Sequence, residues 1–106
     1  QQLETPLLII GKNLSVEKLS DSAMEMFGVK SRAGATHLSQ LALPEGFPAL
    51  APICDEVLRL GVPQVKRIVS GRGTYRLNCT PYSTARRQIN GATMIFTDIS
   101  AGEEEV

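Results

Sequence analysis

The order of hydrophobic and polar residues divides the chain into a short strand-forming start, a helical middle and a longer strand-forming end. The first apolar run is Leu7–Ile10, whose shortness and β-branched content favour a buried strand over a helix. A second run with partial alternation, Leu14–Leu19, follows the tripeptide Gly11–Asn13. Because this tripeptide can supply the positive φ angle that a tight hairpin needs, we expect the two runs to pair.

The spacing of apolar residues becomes helical after the second run. Ser20 is a suitable N-cap, and Leu19 and Met24 have the spacing of a hydrophobic staple around it. The predicted helix covers Asp21–Phe27, and Gly28 stands where a left-handed C-terminal stop is expected. A helix of about two turns is not stable by itself in water, so we expect it to pack on a sheet.

A second helix is predicted over Pro52–Leu60, after an irregular segment at 29–46 in which a short helical turn around Leu38–Ala42 is expected. Pro52 fits the first turn, where its missing N–H is not needed. Gly61 and Pro63 then end the helix. The apolar stripe that should face the sheet contains Leu50, Ile53, Cys54, Val57 and Leu58.

The last third of the chain predicts three strands, at Val65–Ser70, Thr74–Tyr82 and Gly91–Ile99. The inward positions of the last two strands are expected to be Tyr75, Leu77, Cys79, Met94 and Phe96, with Ile95 on the opposite face. Strands and helices are therefore segregated along the chain. This order predicts an α+β fold with a mainly antiparallel five-stranded sheet and short helices packed on one face.

Composition and charge narrow the range of functions. The chain has 106 residues, enough for one domain, and its 11 basic residues balance 11 acidic ones, which argues against nucleic acid as a partner. Its longest apolar run is far shorter than the roughly 20 residues of a membrane span, and no export leader is visible, so we expect no membrane insertion. Two cysteines do not make a disulfide framework and are expected to be reduced thiols in the cytoplasm. His37 is the only histidine, so a zinc site lacks ligands.

The order of motifs in both halves resembles a PAS domain. The stretch Gly73–Tyr82, with a proline near its end, precedes a polar hairpin and a last strand that closes in Thr97-Asp98-Ile99-Ser100. In the N-terminal half, a strand, a hairpin, a second strand and a helix ending in Phe27-Gly28 match too. Ser20 departs from the family, because many members place an asparagine there. The resemblance covers residues 5–100, leaving 1–4 as the remnant of a flanking helix and 101–106 as an acidic tail that leads to a linker or output domain.

This resemblance implies a sensory module of bacterial signalling proteins, similar to the PAS domains of histidine kinases in two-component systems or of chemotaxis methyltransferases. The domain would perform no chemistry itself. It would form a homodimer through the outer face of the sheet and any N-terminal helix. It would bind a small ligand or a partner copy and pass a signal through its C-terminal linker to an output domain in the same chain.

The family's cofactors fit these residues poorly. Flavin-binding members use a reactive cysteine in a helical Asn-Cys-Arg motif, whereas Asn78-Cys79 lies in a predicted strand and is followed by Thr80. Haem-binding members carry a histidine on the long helix before the third strand, and Pro52–Leu60 contains none. We therefore expect no haem or flavin, while a small-molecule ligand remains open.

The candidate pocket lining is the set of apolar side chains that should converge between sheet and helices. Its members are Met24, Phe27, Leu50, Ile53, Cys54, Val57, Tyr75, Leu77 and Cys79. The alternative is that the same side chains fill an ordinary core, which an apolar stripe at regular spacing favours in any domain. Tyr75 stands apart, because a buried phenol needs a hydrogen-bond partner, which a ligand can provide.

Asp98 is the candidate for signal transmission, because it stands where the last strand ends and the chain leaves the domain. Its carboxylate can accept hydrogen bonds from the first N–H groups of a following helix. The alternative is a polar strand end without a special role.

A competing functional class is a small α+β enzyme that uses an acid or base in its cavity, which requires an inward carboxyl group with a raised pKa. Among the last three strands, only Asp98 is a candidate for that role.

Overall fold

The computed structural model describes residues 5–30, 36–84 and 88–100. The predicted flanking segments 1–4 and 101–106 lie outside these residues. The elements in chain order are β1 Leu7–Gly11, β2 Ser15–Leu19, α1 Asp21–Met26, β3 Thr36–His37, a 3₁₀ turn at Leu38–Gln40, α2 Leu50–Leu60, β4 Gln64–Ser70, β5 Gly73–Ser83 and β6 Ile89–Asp98.

The strands form one antiparallel sheet in the order β3-β2-β1-β6-β5-β4. The first strand, β1, and the last strand, β6, are therefore neighbours in the centre of the sheet, with Leu7 opposite Ile95 and Gly11 opposite Gly91. The predicted α+β class is confirmed, but the sheet has six strands and not five. The additional strand is Thr36–His37, in a segment predicted to be irregular, and it pairs with the start of β2.

The predicted hairpin between β1 and β2 is confirmed, but its positive φ angle lies elsewhere. The residue with the left-handed backbone is Leu14, at φ 66°, and not a residue of Gly11–Asn13. The Leu14 N–H donates to the Gly11 carbonyl at 3.0 Å, and the Asn13 side chain accepts from the Ser15 N–H at 3.3 Å. Because the half-buried Leu14 side chain packs against the core, burial offsets the cost of this conformation.

The first helix begins at the predicted cap and ends one residue earlier than predicted. The Ser20 hydroxyl accepts hydrogen bonds from the N–H groups of Ala23, at 3.2 Å, and Leu7, at 3.0 Å, so the cap also joins the helix to β1. Gly28 has the predicted left-handed conformation, with φ +67°. Met24, predicted to face the core, is only half-buried. The buried side chains are Ala23, Met26 and Phe27, which share one helix face by their i, i+3, i+4 spacing.

The second helix covers the inner face of the sheet. It begins at Leu50, two residues before the predicted start, with Pro52 in its first turn, and it ends at the left-handed Gly61 as predicted. Its inward stripe packs against β5 and β6. The buried members of that stripe are Leu50, Ile53, Cys54 and Val57. Neither helix of the described residues has the length and apolar character that a membrane span requires.

The centre of the core is a cluster of four aromatic rings. Phe27 and Phe96 lie 5.4 Å apart between centroids, and Phe47 lies 5.9–6.0 Å from the rings of Phe27, Phe96 and Tyr75. Phe47 comes from the loop before α2, where its N–H donates to the Pro44 carbonyl at 3.1 Å. This turn directs the ring to the inner face of the sheet, a position that the apolar periodicity did not predict.

Candidate functional site

A small cavity lies at the end of the sheet where the chain leaves the domain. Its volume is about 210 Å³. The residues that line it are Pro6, Ser22, Glu25, Met26, Arg72, Tyr75 and Asp98. Two residues singled out separately in the sequence, Tyr75 and Asp98, thus meet at one site, because they are direct partners in the register of β5 and β6.

Tyr75 contributes a buried ring and a hydroxyl group without a partner. The residue is 8% exposed, and its ring packs 5.9 Å from that of Phe47. Its hydroxyl makes no hydrogen bond to the described residues, and it is not sealed from solvent. A buried phenol that retains an unpaired hydroxyl at a cavity can bind a donor or acceptor of a ligand.

Asp98 fastens the departing chain to the sheet. Its carboxylate accepts a hydrogen bond from the Ser100 N–H at 2.9 Å. The Ser100 hydroxyl in turn accepts from the Thr74 N–H at 2.8 Å, and the Ile99 N–H donates to the Thr74 carbonyl, also at 2.8 Å. Hydrogen bonds from the first N–H groups of a following helix were predicted for this carboxylate; the bond from the Ser100 N–H lies within the described residues, and residues 101–106, which would continue such a helix, lie outside them. The end of β6 is therefore held to the beginning of β5 beside the cavity.

A wider groove of about 540 Å³ adjoins this cavity, with Glu25, Met26 and Arg72 common to both. The rest of its lining is formed by Phe27, Gly28, Ala42, Leu43, Pro44, Glu45 and Gly71. One side of the groove is thus the end of α1, another is the loop before α2, and the third is the β4–β5 turn. Two carboxylates and one guanidinium over apolar walls suit a small ligand with both polar and apolar parts.

The predicted pocket residues divide between cavity and core. Tyr75 lines the small cavity and Phe27 the groove, where Met26 takes the place predicted for Met24. Six others are buried in the core: Leu50, Ile53, Cys54, Val57, Leu77 and Cys79. Arg72 and Glu25 carry no signal in the sequence that marks them as site residues, because a turn arginine and a helix glutamate are ordinary surface residues until the fold brings them together.

The two cysteines face each other across the core, between α2 and β5. Both are free and fully buried. A hydrogen bond between the thiols lowers the pKa of Cys54 and raises that of Cys79, and burial raises the pKa of Cys79 further. Their position inside the packed core fits the structural role of small hydrophobic side chains.

The lone histidine has a local structural role. His37 is exposed, and its Nδ1 accepts a hydrogen bond from the Ser39 N–H at 3.2 Å at the start of the 3₁₀ turn. Within residues 5–30, 36–84 and 88–100, no group of three His, Cys, Asp or Glu side chains is placed to hold a metal ion.

A family model described as a PAS domain matches residues 1–100. No curated protein matches the chain. Among solved structures, the PAS domain of the histidine kinase ThkA has 18% sequence identity and a TM-score of 0.75, with 91% of this chain and all of that chain covered.

Two longer proteins contain a similar domain. VqmA of Vibrio cholerae has 15% identity and a TM-score of 0.69 over 95% of this chain and 50% of that chain. The sensor region of a sensor histidine kinase has 15% identity and a TM-score of 0.65 over 92% of this chain and 40% of that chain. At these identities, the structural matches show a common fold.

Proposed function

Because this chain belongs to the PAS domain family, we propose that it is the sensory module of a bacterial signal-transduction protein. PAS sensor domains are generally non-catalytic, and the fold resembles that of histidine kinase sensor domains. In this proposal the domain binds a small ligand, associates with a second copy, and passes its state through the C-terminal linker to an output domain such as a kinase, cyclase or chemotaxis methyltransferase. Its proposed location is the cytoplasm.

The observation that carries the proposal is the cavity shared by Tyr75 and Asp98. A ligand bonded to the Tyr75 hydroxyl would lie beside the residue that holds the departing chain through Ser100. A ligand shifts a two-state equilibrium only by its difference in affinity for the two states. Contacts at the exit of the chain can supply such a difference, because the linker begins there. A relative of the same fold, VqmA, has been solved bound to DPO.

The ligand proposal is tested with Tyr75→Phe, which removes only the hydroxyl. Since that hydroxyl has no partner among the described residues, we expect the thermal midpoint to remain nearly unchanged. Native mass spectrometry of the domain purified from cells should show a retained small molecule in the wild type and less of it in the variant. A large loss of stability, or equal retention in both proteins, would contradict a ligand role for Tyr75.

The transmission proposal is tested with Asp98→Ala in the protein that includes its output domain. We expect the domain to remain folded, because Asp98 is exposed, while output activity no longer responds to the state of the sensor. Circular dichroism of the isolated domain provides the control for folding. Output that still responds as in the wild type would exclude Asp98 from transmission and leave it as an ordinary strand end.

No observation on the described residues favours an enzymatic function. Such a function needs a carboxyl group buried in a cavity. Among the described residues, no polar or charged residue is fully buried, and the two carboxylates of the small cavity, those of Glu25 and Asp98, belong to exposed residues. A sensory role is therefore the function that this geometry supports best.

A further inference from the structure

Charged side chains of both signs meet at the small cavity beside Tyr75 without pairing with one another. Glu25, Arg72 and Asp98 all line this cavity. Among the described residues, the Arg72 guanidinium forms no ion pair with either carboxylate, and the Glu25 carboxylate has no hydrogen-bond partner. Opposite charges that line one cavity but stay apart leave each of them available to a charged group of a ligand.

The Tyr75 hydroxyl is a second and independent sign that the cavity takes a ligand. Tyr75 is 8% exposed, and the packing of its ring against Phe47 holds the side chain in place. Its hydroxyl lies at the cavity without a partner in the described part of the chain. A hydroxyl that is already held in position can donate to an anionic oxygen without a further loss of side-chain freedom.

The charges of the lining disfavour ligands that carry charge of one sign only. A purely anionic ligand would meet the carboxylates of Glu25 and Asp98, and a purely cationic ligand would meet the Arg72 guanidinium. Like charges repel each other more strongly where the cavity wall replaces water. A ligand with one cationic and one anionic group complements both signs, since each of its groups can form charge-assisted hydrogen bonds with the side chain of opposite charge.

The size of the cavity and its apolar neighbours define the rest of the ligand. A volume of about 210 Å³ is below the roughly 300–1,000 Å³ of typical ligand pockets, so the charged part of the ligand must be small. Met26 lines both this cavity and the adjoining groove, where Phe27, Leu43 and Pro44 continue the apolar wall. An apolar group attached to the charged part would extend over Met26 into the groove, and its burial would add affinity.

We propose that the ligand of this cavity is a small zwitterion of the class of free α-amino acids with an apolar side chain. Its α-ammonium group lies between the carboxylates of Glu25 and Asp98. Its α-carboxylate binds the Arg72 guanidinium and the Tyr75 hydroxyl, and its side chain lies over Met26 in the groove. The ammonium group thereby meets the carboxylate that holds the departing chain. This inference rests on the proposed function, because it names the ligand class of the proposed sensor.

Isothermal titration calorimetry of the purified domain tests whether both charges of the ligand are needed. The domain is titrated with L-leucine, L-methionine and L-phenylalanine, and then with two derivatives of the amino acid that binds most tightly. The C-terminal amide keeps the ammonium group without the carboxylate, and the N-acetyl derivative keeps the carboxylate without the ammonium group. Each derivative should bind at least about tenfold more weakly than the free amino acid, because each loses one set of charge-assisted hydrogen bonds.

Two neutral variants assign the two charges to their partners. Arg72→Gln should remove the preference for the free amino acid over its amide, because the guanidinium no longer binds the carboxylate. Glu25→Gln should reduce the preference for the free amino acid over its N-acetyl derivative. Lys12→Gln is the matched control, since it removes an exposed charge in the turn after β1, at the end of the central strand pair away from Asp98, and it should keep both preferences. Circular dichroism of each variant verifies that the fold is intact.

The readouts separate this inference from the proposed function. If native mass spectrometry shows a retained molecule that Tyr75→Phe loses, but none of the three amino acids binds, the ligand class is wrong and the proposed sensor stands. If neither a retained molecule nor amino-acid binding is observed, both are wrong. Equal binding of the amino acid and its two derivatives, or variants that keep the wild-type preferences, would overturn the inference, because the charges of the cavity would not select the ligand.

Discussion

Substitution of Gly91 is the most direct test of the strand order in the sheet, because this residue lies where β1, β6 and β5 approach closely. It lies in β6 between Gly11 of β1 and Tyr82 of β5. A Cβ atom at this position would overlap the backbone carbonyl oxygen of Ile10 and come within 2.8 Å of the Tyr82 ring. The ring can move, but the carbonyl cannot unless β1 and β6 separate, which lengthens the hydrogen bonds of the central strand pair. Gly91→Ala should therefore destabilise the domain.

The expected magnitude follows from two opposing terms. Overpacking against a fixed neighbour costs about 1–3 kcal/mol. Alanine also restricts the unfolded chain, which returns about 0.4–1 kcal/mol. A net loss near 1–2 kcal/mol in the free energy of unfolding corresponds to a decrease in Tm of roughly 4–16 °C for a domain of this size.

Urea denaturation followed by circular dichroism measures this loss, and Gly71→Ala is its matched control. Gly71 lies in the β4–β5 turn, where an added Cβ meets no atom within 4 Å and φ is ordinary. The control variant should remain within about 0.5 kcal/mol of the wild type. If Gly91→Ala were as stable as Gly71→Ala, the close approach of β1 to β6 at this point would be wrong.

Three further changes test the cap, the aromatic cluster and the buried thiols. Ser20→Ala removes the hydroxyl that caps α1 and should lower the free energy of unfolding by about 1–2 kcal/mol in urea titrations. Ser20→Asn should largely preserve the free energy of unfolding, because asparagine is also a good N-cap. Equal losses in the two variants would contradict the capping role. Phe47→Ala removes a half-buried ring with three aromatic contacts and should cost about 2–3 kcal/mol, and a loss below about 0.5 kcal/mol would show that the loop does not hold the ring in the core. Because the hydrogen bond to Cys54 and burial raise the pKa of Cys79 above its ordinary 9.0, the unfolded chain releases this proton first. The contribution to stability is complete below about pH 9 and decreases at higher pH by up to about 1.4 kcal/mol per pH unit. Burial would raise the pKa of Cys54 once its thiol partner is removed, so the test replaces both thiols. Under reducing conditions, Cys54→Ala combined with Cys79→Ala should flatten that decrease, and an unchanged slope would refute the assignment.

The features that follow from local signals could be predicted from the sequence. Alternation in β5 identified the inward positions of Tyr75, Leu77 and Cys79, because strand side chains alternate between faces whatever the neighbouring strand is. The Ser20 cap and the glycine stops of both helices depend on backbone chemistry within a few residues. These predictions were confirmed because no distant contact competes with them.

The features that depend on contacts between distant segments could not be predicted in this way. Leu14 adopts a conformation that leucine rarely takes, because its side chain finds a place against the core. Thr36–His37 becomes a strand only because β2 offers a free edge. Tyr75 and Asp98 were each noted in the sequence, but the register of β5 and β6 decides that they meet. The assembly of the cavity from α1, a turn and two strand ends is a property of the fold.

The central position of the paired strands β1 and β6 also has a mechanical consequence. Since the two strands run antiparallel and Leu7 lies opposite Ile95, the points where the chain enters and leaves the domain lie at the same end of the sheet. Tension between these two points would open the central ladder one hydrogen bond after another, as a zipper opens, and would not load all its bonds together. A domain attached in this way yields to a small pulling force from its flanking segments.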